Sequence, residues 1–147
     1  MRSLLIALLL VTPAAADDWQ HYENARFGVS CDYPAVFSHR DRPPDNGDGQ
    51  AFRTADGAVL RVFGFYNVDH ASPADMLAER QTAVGRIAYR MSRADRFAAS
   101  GTRNGMDIYL RCNIGSGDVV GCVEVSYPAG GAMQESVARI SQSLRVR

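Results

Sequence analysis

The sequence predicts an α+β domain: a single antiparallel β-sheet of about six to eight strands with two main helices packed on it. Three observations point there. Apolar and polar residues alternate with period 2 through most of the chain, two segments carry helical spacing instead, and the links between these blocks are short. With 147 residues, 46% of them hydrophobic and 22% charged, the composition is that of one globular domain.

The first block stands outside that domain. Met1-Arg2-Ser3 carries one positive charge, residues 4–11 form an apolar run, and Thr12-Pro13 breaks it. Ala14-Ala15-Ala16 then places small residues where a signal peptidase reads. This is the pattern of a secretory signal in residues 1–16, with cleavage expected between Ala16 and Asp17. An anchor would need about twenty apolar residues, and this run is less than half as long. Residues 17–147 are therefore expected as a single α+β domain, without a membrane anchor after cleavage, in the periplasm or secreted.

Phe27, Val29, Cys31 and Tyr33 alternate with Gly28, Ser30 and Asp32 until Pro34. That reads as a strand, with a short one before it over 19–23. Residues 38–49 (SHRDRPPDNGDG) are polar and rich in Pro and Gly, the marks of an exposed loop. Residues 50–54 and 58–67 flank Asp56-Gly57, the signature of a tight hairpin. Its second arm, VLRVFGFY, is apolar on nearly both faces and belongs in mid-sheet.

The clearest helix start follows: Ser72 as N-cap, Pro73 at the first helical position and Asp75 at the third. Leu77, Val84 and Ile87 form its apolar stripe, with Met76 and Ala83 beside it, and the helix should fade near Gly85. Strands are expected over 87–92, 96–100, 106–114 and 119–127. In the third of these, Met106, Ile108, Leu110, Cys112 and Ile114 alternate with Asp107, Tyr109, Arg111 and Asn113, giving one buried and one polar face. Gly130-Gly131 opens a last helix with Met133, Val137, Ile140 and Leu144 along one side.

This order of strands, hairpin, helix, strands and final helix resembles the PsbP/Mog-like architecture. The segments ENARFGVSCDYPA (23–35), PPDNGDGQ-F-DG (43–57) and the closing SLR (143–145) look like those of small exported alphaproteobacterial proteins. The resemblance covers most of residues 17–147 and its motifs are structural. It implies a fold and an exported location. Relatives of the architecture are mostly accessory or binding proteins, so it implies a binding role and carries over no catalytic residue.

Composition and motifs narrow the chemistry. All 16 basic residues are Arg, balanced by 16 acids, so Schiff-base chemistry and a lysine phosphate cradle are excluded and no nucleic-acid partner is expected. The acidic loop Asp41, Asp45, Asn46, Asp48 lacks the calcium-loop spacing, because Gly47 and Gly49 fall where ligands should stand. His21, His39 and His70 share no metal-ligand spacing. The Gly-rich pieces GDG, GSG and AGG lack a phosphate-loop context, although AGG before the last helix offers an anion a helix start. No catalytic, cofactor or metal residue is assigned.

Charge is unevenly placed. Residues 17–60 carry a net −4, and residues 78–111 a net +4 from Arg80, Arg86, Arg90, Arg93, Arg96, Arg103 and Arg111 against three acids. Those Arg side chains would bind an anionic ligand if they shared a face. The expected function is a non-catalytic module binding an envelope protein or a small ligand; the alternative is a small periplasmic hydrolase whose site forms only in three dimensions.

The cysteines give the sharpest expectation. An exported chain permits disulfides, and Gly115-Ser116-Gly117 can turn the chain so that Cys112 faces Cys122, leaving Cys31 free. One feature opposes this: Cys122 alternates with Val123 and Val125 and so points away from the apolar side. A bulge near Gly121 would reconcile them; without it, Cys31 becomes the better partner for Cys112.

Overall fold

Short turns join consecutive strands, and that local connectivity builds most of the architecture. The computed structural model describes residues 18–147; the expected signal segment and the cleavage point between Ala16 and Asp17 lie outside the described residues. The elements are β1 (Trp19–Asn24), β2 (Val29–Pro34), β3 (His39–Arg40), β4 (Gly49–Arg53), β5 (Val59–Tyr66), α1 (Pro73–Arg80), β6 (Arg86–Arg93), β7 (Arg96–Arg103), β8 (Met106–Ile114), β9 (Val119–Pro128), α2 (Met133–Ser143) and β10 (Arg145–Val146). Among the described residues no helix is long and apolar enough to cross a membrane.

The α+β class, the two main helices and the antiparallel pairing are as expected. A seven-stranded sheet runs in the order β3-β4-β5-β9-β8-β7-β6, within the expected size. The expected single sheet is in fact two: β1, β2 and β10 form a separate three-stranded sheet. Periodicity identifies a strand but not its partner, and the two-residue β3 and β10 carry no periodic signal at all.

An apolar core lies on each face of the large sheet. Leu60, Val62, Val123 and Val125 join Val29 and Cys31 of β2 and Val137, Ile140 and Leu144 at α2 in one core. Phe97, Leu110, Cys112, Val120 and Cys122 pack with Met76, Leu77 and Val84 in the other. Strand β9 thus supplies apolar side chains to both cores, as expected for a central strand.

Two glycines mark where the sheets cross. Gly64 and Gly121 stand opposite each other in the β5–β9 pair. A Cβ on Gly64 would lie 2.6 Å from the Cβ of Phe27, and one on Gly121 2.6 Å from Val146 Cγ2 and 2.7 Å from Val29 Cγ2. The smaller sheet rests on these bare backbones. Gly121→Ala should therefore cost about 1–3 kcal/mol through overpacking, read as a lowered urea midpoint; an unchanged midpoint would mean that the sheets do not meet there.

Helix α1 begins as its sequence dictates. The Ser72 hydroxyl accepts from the Asp75 N–H at 3.1 Å, and Pro73 opens the first turn. A short 3-10 turn, Gln81–Val84, follows. Gly85 then takes φ +76° and ψ −135°, a conformation that favours glycine, and the helical turn ends there. Ile87 consequently leaves the expected stripe: it sits on β6, the sheet edge, 37% exposed. In α2 the expected stripe does face inward, with Val137, Ile140 and Leu144 buried and Met133 partly so.

Candidate functional site

On the polar face of β8, Asp107, Tyr109, Arg111 and Asn113 point to the α2 side of the sheet. The same face of β7 presents Ala98, Ser100 and Thr102, directly opposite Arg111, Tyr109 and Asp107. Helix α2 packs on β2 and β9 and stops short of β7. A groove of about 500 Å³ opens in between, lined by Ser100, Thr102, Asp107, Tyr109 and Arg111 from the strands and by Gln134, Ser141 and Gln142 from α2, among others. Arg111 also borders a second hollow of about 230 Å³ beside the C-terminal end of α2, together with Asp95, Arg96, Asn113 and Arg145.

Register sorts the arginines. Arg86 lies opposite Thr102 and Arg93 opposite Arg96, while Arg96 lies opposite Asn113. Alternation places these three with Arg111 on the α2 face. Arg90, opposite Ala99, and Arg103, opposite Met106, belong to the other face. Arg80 is placed differently again, its guanidinium 4.1 Å above the Phe65 ring. Burial lowers the Arg80 pKa, with Glu79 and Glu124 opposing. The charge run seen in sequence is therefore shared between faces; of the α2-face arginines Arg111 lines the groove, and Arg96 joins it only at the smaller hollow.

The remaining candidates stay apart. His21 meets Asp32 at 2.7 Å, His39 meets Asp41 at 3.4 Å and His70 meets Asp118 at 3.3 Å, three pairs at separate places. In the acidic loop, Asp41 is held by Arg53 at 2.9 Å and Asn46 donates to Asp48, so these side chains bond to neighbours. No group of three or more metal-ligating side chains gathers among the described residues. Helix α2 starts at Ala132 without a side-chain cap. A larger hollow of about 740 Å³ lies near that end, where Arg139 stacks on Trp19 at 3.8 Å.

Cys112 and Cys122 form the expected disulfide. The expected bulge does not occur: β8 and β9 pair without a register shift, with Cys112 directly opposite Cys122. Because β9 is apolar on both faces, its alternation could not tell which face was the buried one. Cys31 is free and buried. Burial pushes its thiol from 9.0 up to about 12, and the charge of Asp32 adds to the effect. The native protein should thus resist alkylation by iodoacetamide at pH 8 and react once denatured. Below pH 9 the thiol is neutral in both states; between pH 9 and about 12 only the unfolded chain loses the proton, so stability falls as pH rises.

No protein-family model matches the chain, and no match was found among curated proteins. Among solved structures, the chain is similar to one from Bacteroides thetaiotaomicron at 14% identity and TM-score 0.48, over 81% of this chain and 45% of that one. It is also similar to Mog1p, the Ran-binding protein of Saccharomyces cerevisiae, at 9% identity and TM-score 0.58, over 89% of this chain and 96% of that one. The fold is Mog1-like.

Proposed function

We propose that the chain is an exported, non-catalytic binding module of the periplasm or the secreted fraction, holding a small polar ligand in the groove between α2 and the β7–β8 pair. One observation carries this reading. Asp107 and Arg111, of opposite sign, line the groove four residues apart on one strand face, and neither has an ion-pair partner among the described residues. Unpaired charges in a concavity surrounded by hydroxyl and amide groups suit a ligand that completes them. None of the three His residues lines the groove, which favours binding over the hydrolase alternative. The Cys112–Cys122 bridge fits an oxidising compartment. Mog1p, a Ran-binding protein of the same fold, gives the analogy.

A protein partner is the second reading. It is favoured by β6, an eight-residue edge strand that exposes Ile87 and Tyr89.

The test is a ¹⁵N–¹H spectrum of the oxidised protein titrated with amino acids, short peptides and sugars at about millimolar concentration. Shifts should collect at Ser100, Tyr109, Arg111, Gln134 and Gln142. Shifts confined to β6, or none at all, would overturn the ligand reading. Intact mass of the exported product should place its first residue at Asp17; a product retaining residues 4–11 would overturn the export claim.

A further inference from the structure

Arg111 is held in place without being neutralised. Its Nε donates to Asn113 Oδ1 at 3.1 Å, and Asn113 Nδ2 donates to the Leu144 carbonyl at 3.2 Å. Arg145 is anchored from the same carbonyl, its Nη1 donating to Leu144 O at 3.0 Å and to Gln142 O at 2.7 Å. These acceptors are all uncharged. In register Arg111 lies between Ala98 and Val123, both buried, so the base of its side chain rises from an apolar floor. The only carboxylate lining the hollow beside it is Asp95, and Asp95 meets Arg96 at 3.2 Å. Three arginines therefore line one hollow with a single carboxylate among them.

For Arg145 a structural role at the end of α2 accounts for its carbonyl contacts. No such role accounts for Arg111, which stands in mid-strand and spends one N–H on a neutral amide. Its two terminal nitrogens remain for an acceptor of matching shape. A planar guanidinium held at Nε presents parallel N–H groups, the geometry that carboxylates and phosphates satisfy bidentately. We infer that Arg111, flanked by Arg96 and Arg145, forms a subsite for the oxyanion head group of the ligand, a carboxylate or a phosphate. The body of the ligand then runs along the groove past Tyr109. This rests on the groove being the ligand site.

The experiment uses the oxidised protein at low ionic strength, where exposed charges are least screened. Three probes are titrated separately: inorganic phosphate, succinate and the neutral N-acetylglycinamide. Binding of either anion should shift the Arg111 Nε–H resonance, and whichever anion binds more tightly identifies the source of the head group. Arg111→Gln should weaken that binding about tenfold or more, as expected for loss of a charge-assisted bidentate contact. Arg145→Gln, an exposed change, should weaken it about threefold, and Arg103→Gln on the opposite face should leave it unchanged. Unfolding midpoints of each variant confirm that the protein tested is folded. Undiminished anion binding by a folded Arg111→Gln protein overturns the inference. If the neutral probe shifts Tyr109 and Gln134 while neither anion moves Arg111, the subsite fails and the groove reading stands. If no probe perturbs the groove, both fail.

Discussion

Replacing both Cys112 and Cys122 by Ala should lower the unfolding free energy by about 2–5 kcal/mol. The bridge closes a loop with sequence separation 10, for which chain entropy alone contributes about 2.7 kcal/mol. Packing adds to this. Both sulfurs lie fully buried beside Phe97, Leu110 and Val120, so truncation to Ala leaves a void in the core under α1. Continuous pairing from Met106 opposite Pro128 to Ile114 opposite Val120 should preserve the native strands, so the loss should appear in the urea midpoint rather than as misfolding. Before reduction, the denatured protein should titrate with one free thiol, mapped to Cys31. Three free thiols, or a bridge containing Cys31, would refute the pairing; an unshifted midpoint would refute its energetic role.

The cysteines also show how far sequence reasoning reaches. Alternation along β8 placed Cys112 on the apolar face correctly, because the other face of that strand carries Asp107, Tyr109, Arg111 and Asn113. Strand β9 offered no such contrast: Val120 and Cys122 face one core while Val123 and Val125 face the other. Once a strand is buried on both sides, period 2 loses its meaning. From sequence, a bulge at Gly121 is the remedy at hand. The structure gives that glycine another task, admitting Val29 and Val146 against the sheet.

Local signals survived where their chemistry was complete within a few residues. Ser72, Pro73 and Asp75 specify a helix start without outside help. Ile87 misled because spacing from Leu77 and Val84 continues past Gly85, although the backbone does not. The candidate site was legible only as ingredients. The excess of Arg over 78–111 was plain, but the convergence of Arg96 and Arg111 with Arg145 depends on register between β7 and β8 and on where α2 ends. Arg145 lies outside the charged segment, and no spacing rule connects it to Arg111.

Leu144→Ala should cost about 2–5 kcal/mol, the range for truncating a buried leucine. Leu144 is 1% exposed and caps the C-terminal end of α2, where the backbone turns to an extended conformation. Immediately after it, Arg145 and Val146 pair with Ser30 and Val29 of β2. The side chain thus anchors the point where the helix becomes a strand of the smaller sheet, and it fills the core shared by Val29, Cys31 and Ile140. Met133, at the other end of the same stripe, is only partly buried, so Met133→Ala should cost roughly half as much, in proportion to the apolar area withdrawn from water. Equal costs in urea unfolding would mean that the helix is docked evenly along its length; a negligible cost at Leu144 would mean that this end is not docked at all.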